Sequence, residues 1–170
     1  DSLLWYNTNI TIPATMKGKE ILLHFGAVDW QTEVFVNGKS AGKHEGGFDP
    51  FSINITPLLR SGAKQEITVR VWDPTDDGPQ PRGKQVKKPE GIWYTPVTGI
   101  WQTVWLEAVP KTYIEGLALT PDIDNGVLNI KVNAPVGSSV EITALDGKSA
   151  ISMVKGKAGN VLHLPIKNAK

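Results

Sequence analysis

The segment Glu33–Lys39 reads EVFVNGK and decides the fold class of this chain. Val34 and Val36 stand two positions apart, which is the period of a strand with one buried face. Asn37 and Gly38 follow at once, and both residues tolerate the positive φ that a two-residue hairpin turn requires. The segment therefore predicts a β-hairpin closed by a type I′ turn.

The same two-residue period recurs along most of the chain, over residues 6–12, 21–27, 67–71 and 102–109, and again in short stretches between 114 and 166. Thr56–Arg60 is the only helix-like stretch, and it is long enough for one turn. Tryptophan and most aromatic residues disappear after Pro110. These patterns predict an all-β protein with two domains, 1–110 and 111–170.

Composition excludes several classes of function. The 170 residues carry a net charge of +1, and no block of basic residues interrupts the even mixture of charges, so nucleic acid and anionic membranes are not expected partners. No apolar run is long enough to span a membrane. The absence of cysteine excludes thiol chemistry, and His24, His44 and His163 have no ligand-like spacing. Neither a cofactor nor a metal site is indicated.

A long polar segment between two predicted strands holds the candidate site. It begins at Trp72, ends near Glu107, and reads WDPTDDGPQPRGKQVKKPEGIWYTPVTGIWQTVWLE. Loops of this length inside a compact domain are usually functional. Its aromatic rings and hydrogen-bonding groups suit a sugar, which has apolar faces and a rim of hydroxyls. The candidate substrate-binding residues are Asp73, Asp76, Arg82, Lys84, Gln85 and Trp93.

A structural explanation of this loop stays open beside the sugar hypothesis. Arg82 and Lys84 would then pair with nearby aspartates and only order the loop. Trp101 and Trp105 lie four residues apart on a predicted strand, so their side chains are expected on one face and are expected to pack. Phe48, beside Gly46-Gly47, is likewise expected to be buried.

Several motifs of this chain together resemble the N-terminal sugar-binding domain of glycoside hydrolase family 2, which includes β-galactosidases, β-glucuronidases and β-mannosidases. The resemblance covers roughly residues 4–109. The residues that carry it are Phe25–Trp30 (FGAVDW), Glu33–Lys39 (EVFVNGK), Gly46-Gly47-Phe48, Gln80–Gln85 (QPRGKQ), Gly91-Ile92-Trp93 and Gly99–Glu107 (GIWQTVWLE).

The resemblance implies a galactose-binding-like jelly-roll sandwich, truncated at its N-terminus, followed by a partial immunoglobulin-like sandwich. It also implies that a TIM barrel with two catalytic glutamates follows in the same polypeptide. No residue of this chain is then catalytic. Asp73 or Asp76 would accept hydrogen bonds from sugar hydroxyls or help hold a cation, while Arg82, Lys84 and Gln85 would donate.

The function expected from the resemblance is that of an accessory fragment of an enzyme that hydrolyses O-glycosyl bonds, in a β-galactoside or a related β-glycoside. Two alternatives stay open, namely a free-standing carbohydrate-binding module that uses Trp30 or Trp93, and a structural spacer. A truncated sandwich exposes sheet edges, which predicts self-association. The compartment stays open, although the bacterial style of the motifs favours the periplasm or the cell surface.

Overall fold

The computed structural model describes residues 2–62 and 64–166, and their regular secondary structure is almost entirely β-strand. The all-β prediction is confirmed. Two 3₁₀ turns, Ala14–Met16 and Thr56–Leu58, are the helical structure of the described residues. The strands are β1 (Ser2–Thr11), β2 (Glu20–Phe25), β3 (Val28–Asp29), β4 (Gln31–Val36), β5 (Lys39–Glu45), β6 (Phe51–Asn54), β7 (Lys64–Asp73), β8 (Gly99–Ile100), β9 (Val104–Val109), β10 (Gly116–Asp122), β11 (Val127–Asn133), β12 (Ser139–Asp146), β13 (Ser149–Lys157) and β14 (Val161–Pro165).

The contacts between residues divide the chain into two compact units, the first ending at Val109 and the second beginning at Pro110. The first unit is a sandwich of a four-stranded sheet, in the order β1-β7-β4-β5, and a three-stranded sheet, in the order β6-β2-β9. All of these neighbours are antiparallel. Alternate residues of each sheet meet in one core, which includes Ile21, Leu23, Phe25, Val34, Val36, Ile67, Val69 and Val71.

The central strand of the larger sheet is β7, and its residues are paired on both sides. Ten residues of β1 pair with it, from Ser2 opposite Asp73 to Thr11 opposite Lys64. Along its other edge, β4 pairs with the segment 67–72. A strand held on both edges is among the least mobile elements of a sheet. Its last residue, Asp73, therefore has a fixed position where the long loop begins.

The predicted hairpin is present, and Asn37 ties it to the rest of the sandwich. Asn37 and Gly38 have φ values of 52° and 79°, with Val36 paired to Lys39. The buried Asn37 amide donates to the backbone oxygen of Leu58 at 2.9 Å and to Oε1 of Gln65 at 2.7 Å. Asparagine thus meets both the backbone and the hydrogen-bonding requirements of this position.

The second unit is a smaller arrangement of strands with its own core. β10, β11 and β14 form one sheet, and β12 pairs with β13 in a hairpin. Ile130, Val132 and Leu164 of the sheet are buried, and side chains of the hairpin, Val140, Ile142, Ala144 and Val154, pack against them. Apolar residues from both layers thus form one small core, as in a sandwich.

Two predictions about aromatic residues are wrong. Trp101 and Trp105 do not share a strand, because β8 ends at Ile100 and β9 begins only at Val104. Phe48, which was expected to be buried, is half exposed. For the two tryptophans the reason is a break in strand pairing, in which the Gly26 amide bonds the Thr103 carbonyl oxygen while residues 101–103 stand outside the strands. Phe48 packs edge-on against the Trp101 ring and remains half exposed. No helix of the described residues is long and apolar enough to cross a membrane.

We expect Asn37→Ala to lower the free energy of unfolding of the first unit by about 2–4 kcal/mol. The substitution removes buried hydrogen bonds and places a side chain that disfavours positive φ at that position. Urea unfolding monitored by tryptophan fluorescence measures this unit, because all six tryptophans precede Pro110. The control is Asn9→Ala, an exposed asparagine of β1, for which a change below about 0.5 kcal/mol is expected. Equal effects of the two substitutions would contradict the role of Asn37.

Candidate sugar-binding site

A single carboxylate fixes both ends of the loop that connects β7 to β8, residues 74–98. Oδ1 of Asp73 accepts a hydrogen bond from the Thr75 amide at 2.7 Å, and Oδ2 accepts one from the Thr98 hydroxyl at 2.5 Å. Asp73 is only 3% exposed. Since both of its oxygens are used within the chain, this residue closes the base of the loop.

Hydrogen bonds inside the loop join its two halves. The Tyr94 amide donates to the Lys84 carbonyl oxygen at 2.8 Å, and the Val86 amide donates to the Tyr94 carbonyl oxygen at 3.2 Å. Gln85 adds a side-chain contact, because its Oε1 accepts from the Val97 amide at 2.5 Å. A loop bonded in this way is preorganised, so less conformational entropy is lost when it orders around a ligand.

Asp29, the last residue of β3, lies beneath the loop and is 7% exposed. Its carboxyl group accepts a hydrogen bond from the side chain of Gln85. Burial and, to a smaller extent, the nearby charge of Asp73 together raise the pKa of Asp29 to about 6, against the opposing effect of the Gln85 hydrogen bond. The floor of the site therefore holds a carboxyl group that titrates near neutral pH.

The loop and the neighbouring 46–48 bend enclose a cleft of about 360 Å³, which we call the aromatic cleft. Trp101 and Tyr94 line it and are 44% and 61% exposed. The Trp101 indole donates to the Gly47 carbonyl oxygen at 2.7 Å, and the Phe48 ring meets the Trp101 ring edge-on with centroids 6.2 Å apart. The indole is thus held in place while much of its ring stays open to solvent.

Polar groups stand on the walls of the aromatic cleft. Arg82, Lys84 and Gln85 line it together with Asp29. Arg82 is held by a hydrogen bond from Nη1 to the Asp76 carbonyl oxygen at 2.8 Å, and the Lys84 ammonium lies 5.8 Å from the centre of the Tyr94 ring. Hydrogen-bond donors beside exposed aromatic rings match the faces and the rim of a sugar.

A second cleft of about 450 Å³, here called the loop cleft, is lined by Asp76, Asp77, Val86, Lys87, Lys88 and Trp93. Asp77 forms an ion pair with Lys87, and this hydrogen bond lowers the pKa of the exposed Asp77 carboxyl. Asp76 accepts from the Lys87 amide at 3.3 Å through Oδ2, whereas its buried Oδ1 has no protein partner. Within the described residues, no three acidic, histidine or cysteine side chains are placed to hold a metal ion.

The six residues predicted from the sequence thus occupy three places. Arg82, Lys84 and Gln85 line the aromatic cleft, Asp76 and Trp93 line the loop cleft, and Asp73 lies buried at the base. Seven further residues line the aromatic cleft and were not predicted as site residues; those with a charged or aromatic side chain are Asp29, Phe48, Tyr94 and Trp101. Gly46-Gly47 before Phe48 and Gly99 before Trp101 signal tight backbone contacts, but a period-2 analysis does not show that the rings turn outward.

The fold and the cleft define a class of protein, the galactose-binding-like β-sandwich. Residues 1–100 match the family described as glycosyl hydrolase 2 galactose-binding domain-like. The chain therefore belongs to glycoside hydrolase family 2 through this domain, as the sequence motifs predicted.

Relatives of known name agree with this assignment. A putative β-glucuronidase of Formosa agariphila is 29% identical over 98% of this chain and 21% of its own length. A β-galactosidase of Thermoanaerobacter pseudethanolicus is 27% identical over 78% of this chain and 17% of its own length. A solved β-glucuronidase of Lactobacillus rhamnosus superposes with a TM-score of 0.77 at 25% identity, over 99% of this chain and 30% of that one. The chain thus spans less than a third of each.

Asp29 should make the stability of the first unit depend on pH. Its folded pKa of about 6 exceeds the ordinary 3.8, so the native state holds this proton more tightly than the unfolded chain. The resulting stability is complete below about pH 4 and is lost as the pH rises through 6. We therefore expect the free energy of unfolding of Asp29→Asn, relative to that of the wild type, to increase by about 2–3 kcal/mol between pH 4 and pH 7.

The measurement is urea unfolding at closely spaced pH values, with the variant-minus-wild-type difference as the readout. Asp49→Asn removes an exposed carboxyl group of the same unit and controls for the loss of one charge. If the difference in unfolding free energy between Asp29→Asn and the wild type stays constant from pH 4 to pH 7, Asp29 does not titrate in this range.

Proposed function

We propose that this chain is a non-catalytic, sugar-contacting part of a longer β-glycosidase. The observation that carries the proposal is the aromatic cleft, in which the half-exposed Trp101 stands beside the donors Arg82, Lys84 and Gln85. Membership of glycoside hydrolase family 2 supports a carbohydrate as the ligand. The printed names of the relatives, β-glucuronidase and β-galactosidase, support a β-glycoside.

The division of roles in the cleft follows from its geometry. The apolar face of a sugar ring would stack on Trp101 and Tyr94, whose rings are exposed and whose backbones are held by hydrogen bonds. Arg82 and Lys84 would donate to hydroxyl groups or to a sugar carboxylate, and Gln85 would orient the floor through Asp29. Contacts of this kind select and position a substrate, and they lower the entropic cost of reaching a reactive geometry.

Hydrolysis itself is assigned to the rest of the polypeptide. A glycosidase needs two carboxyl groups on either side of the scissile bond, about 5 Å apart or further. Among the residues that line the aromatic cleft, Asp29 alone has a carboxyl group. Asp73 lies buried at the base of the loop, and both of its oxygens already accept internal hydrogen bonds. In the loop cleft the ion pair with Lys87 lowers the pKa of Asp77, which is opposite to the shift a general acid needs. The family resemblance implies a barrel with two glutamates for this role.

One observation favours the second candidate, a binding module that acts on its own. Every residue that lines the aromatic cleft belongs to the first unit. The cleft therefore needs no other polypeptide to form, and it would bind sugar in the isolated chain under either proposal. The two proposals separate on whether the longer polypeptide hydrolyses the sugar that the cleft binds.

We expect the 170-residue chain to show no turnover of nitrophenyl β-glucuronide, β-galactoside or β-mannoside, because neither cleft of the described residues offers a suitable pair of carboxyl groups. Release of nitrophenol measures this directly, and an active β-glucuronidase of the same family serves as the positive control. Turnover by the purified chain that disappears in Asp29→Asn but persists in Asp49→Asn would contradict the non-catalytic assignment.

Sugar binding should perturb Trp101 selectively. In titrations of the isotopically labelled chain with methyl β-glucuronide and methyl β-galactoside, we expect the Trp101 indole resonance to shift, because its ring lines the cleft. Trp101→Ala should weaken binding at least tenfold, about 1.4 kcal/mol. Trp93→Ala is the matched control from the loop cleft and should leave the affinity within twofold. The opposite order of effects would move the sugar site to the loop cleft.

A further inference from the structure

The outer face of the four-stranded sheet carries a second group of aromatic and polar side chains. Alternation along the strands sends Val34, Val36 and Val69 into the core, so the residues between them face outward. Register places these outward residues in rows across the sheet, with Trp5 opposite Arg70, and Arg70 in turn opposite Glu33. None of these outward residues lines the aromatic cleft.

Trp5 and Phe35 form an aromatic surface on this face. Their ring planes differ by 28° and their centroids lie 6.3 Å apart, so the two rings make one nearly continuous patch. Trp5 is 58% exposed, more than any aromatic residue of the aromatic cleft except Tyr94. A large ring held against a rigid sheet and left open offers a flat apolar surface at little entropic cost.

A polar cleft of about 150 Å³ adjoins this patch through Arg70. Glu33 lines it, 3.6 Å from the Arg70 guanidinium and 3.8 Å from the Lys43 ammonium. Gln31 donates to Glu45 at 2.7 Å on the same wall. Taking about 30 Å³ for each molecule of liquid water, the cleft has the volume of about five waters, which is enough for part of one sugar residue.

The charges of the polar cleft identify the kind of ligand that fits it. Its two cationic and two anionic side chains cancel, and each is already positioned by a neighbour of opposite charge or by an amide. Such a site attracts neither an acidic nor a basic partner over distance. It does offer both donors and acceptors to hydroxyl groups, which carry both functions themselves.

We propose that this outer face, defined by Trp5, Phe35, Arg70, Glu33 and Gln31, is a second carbohydrate-binding surface, and that its ligand is a neutral hexopyranose chain. One sugar ring stacks on Trp5, and the hydroxyls of the next residue enter the polar cleft. The surface is independent of the aromatic cleft, because it lies on strands β1, β7 and β4 and not on the 74–98 loop. It would hold the chain on a polysaccharide.

The test is titration of the 170-residue chain with cellohexaose, a neutral β-linked oligosaccharide, followed by calorimetry and by the indole resonances. We expect the Trp5 resonance to shift, and Trp5→Ala to weaken binding at least tenfold. Trp105→Ala is the matched control, since Trp105 is 45% exposed on the other sheet. It should leave the affinity within twofold. Glu33→Gln, which keeps the size of the side chain, should weaken binding at least threefold.

Each other outcome overturns the proposal. Absence of binding would remove the outer face as a carbohydrate-binding surface. Binding that is lost in Trp101→Ala and kept in Trp5→Ala would place the oligosaccharide in the aromatic cleft. Stronger binding of hexagalacturonate than of cellohexaose would contradict the neutral ligand. A dimer in light scattering that Trp5→Ala converts to a monomer would make this face an interface between copies. Trp5→Phe keeps an aromatic ring and should retain most binding, which excludes misfolding as the cause of the loss.

Discussion

The candidate site depends on the position of one buried carboxylate, that of Asp73. This residue is the last of β7, the strand paired along both of its edges, and its two oxygens bind the first and last turns of the 74–98 loop. A rigid sheet thereby fixes both ends of a long excursion. Without such a closure, a loop of this length would sample many conformations, and its rings and donors would not converge.

Burying the carboxyl groups of Asp73 and Asp29 near each other is energetically unfavourable, although both residues help to build the site. Burial disfavours the charged form of Asp29, and repulsion by the neighbouring Asp73 adds to this, so the pKa of Asp29 rises to about 6. Gln85 offsets part of this cost with its hydrogen bond, and the same side chain holds the Val97 amide. The floor of the aromatic cleft and the order of its loop are therefore linked through one glutamine.

The family assignment and the geometry together suggest a division of labour. The sandwich provides stiff sheets, and the loop and the 46–48 bend provide the sugar-facing groups. Sites supported by a rigid framework can present long polar side chains such as Arg82 and Lys84 with little loss of entropy on binding. Aromatic residues in the same unit then serve different surfaces, with Trp101 at the cleft, Trp5 on the outer sheet face and Trp105 stacked on His24 of the other sheet.

Much of the fold could be predicted from the sequence because several strands have one buried and one exposed face. β4 and β7 show this alternation, β2 departs from it only at the buried Leu22, and the Asn37-Gly38 turn fixes one hairpin. β5 was predicted only as the return strand of this hairpin, and β6 was not predicted, since it has four residues and their side chains are exposed or half-buried. The motifs identified the family from residue order, which does not require that every strand be located.

The candidate site was predicted only in part. Arg82, Lys84 and Gln85 were found because they lie in one polar loop, but Asp29, Phe48 and Trp101 join them from other parts of the chain. Trp101 was assigned to a strand that in fact begins at Val104, so the argument from a shared face failed. Asp73 was expected to touch sugar, whereas its hydrogen bonds to Thr75 and Thr98 can be read only from the folded structure.

Amide hydrogen exchange in Asp73→Ala, compared with the wild type, tests most directly whether this carboxylate organises the site. The Tyr94 and Val97 amides lie in the second half of the loop and donate to residues of its first half. The account predicts that both exchange at least tenfold faster in the variant, while the amides of Val69 and Val71 in β7 keep their protection. Unchanged exchange at Tyr94 and Val97 would contradict it, because the loop would then hold its shape without Asp73.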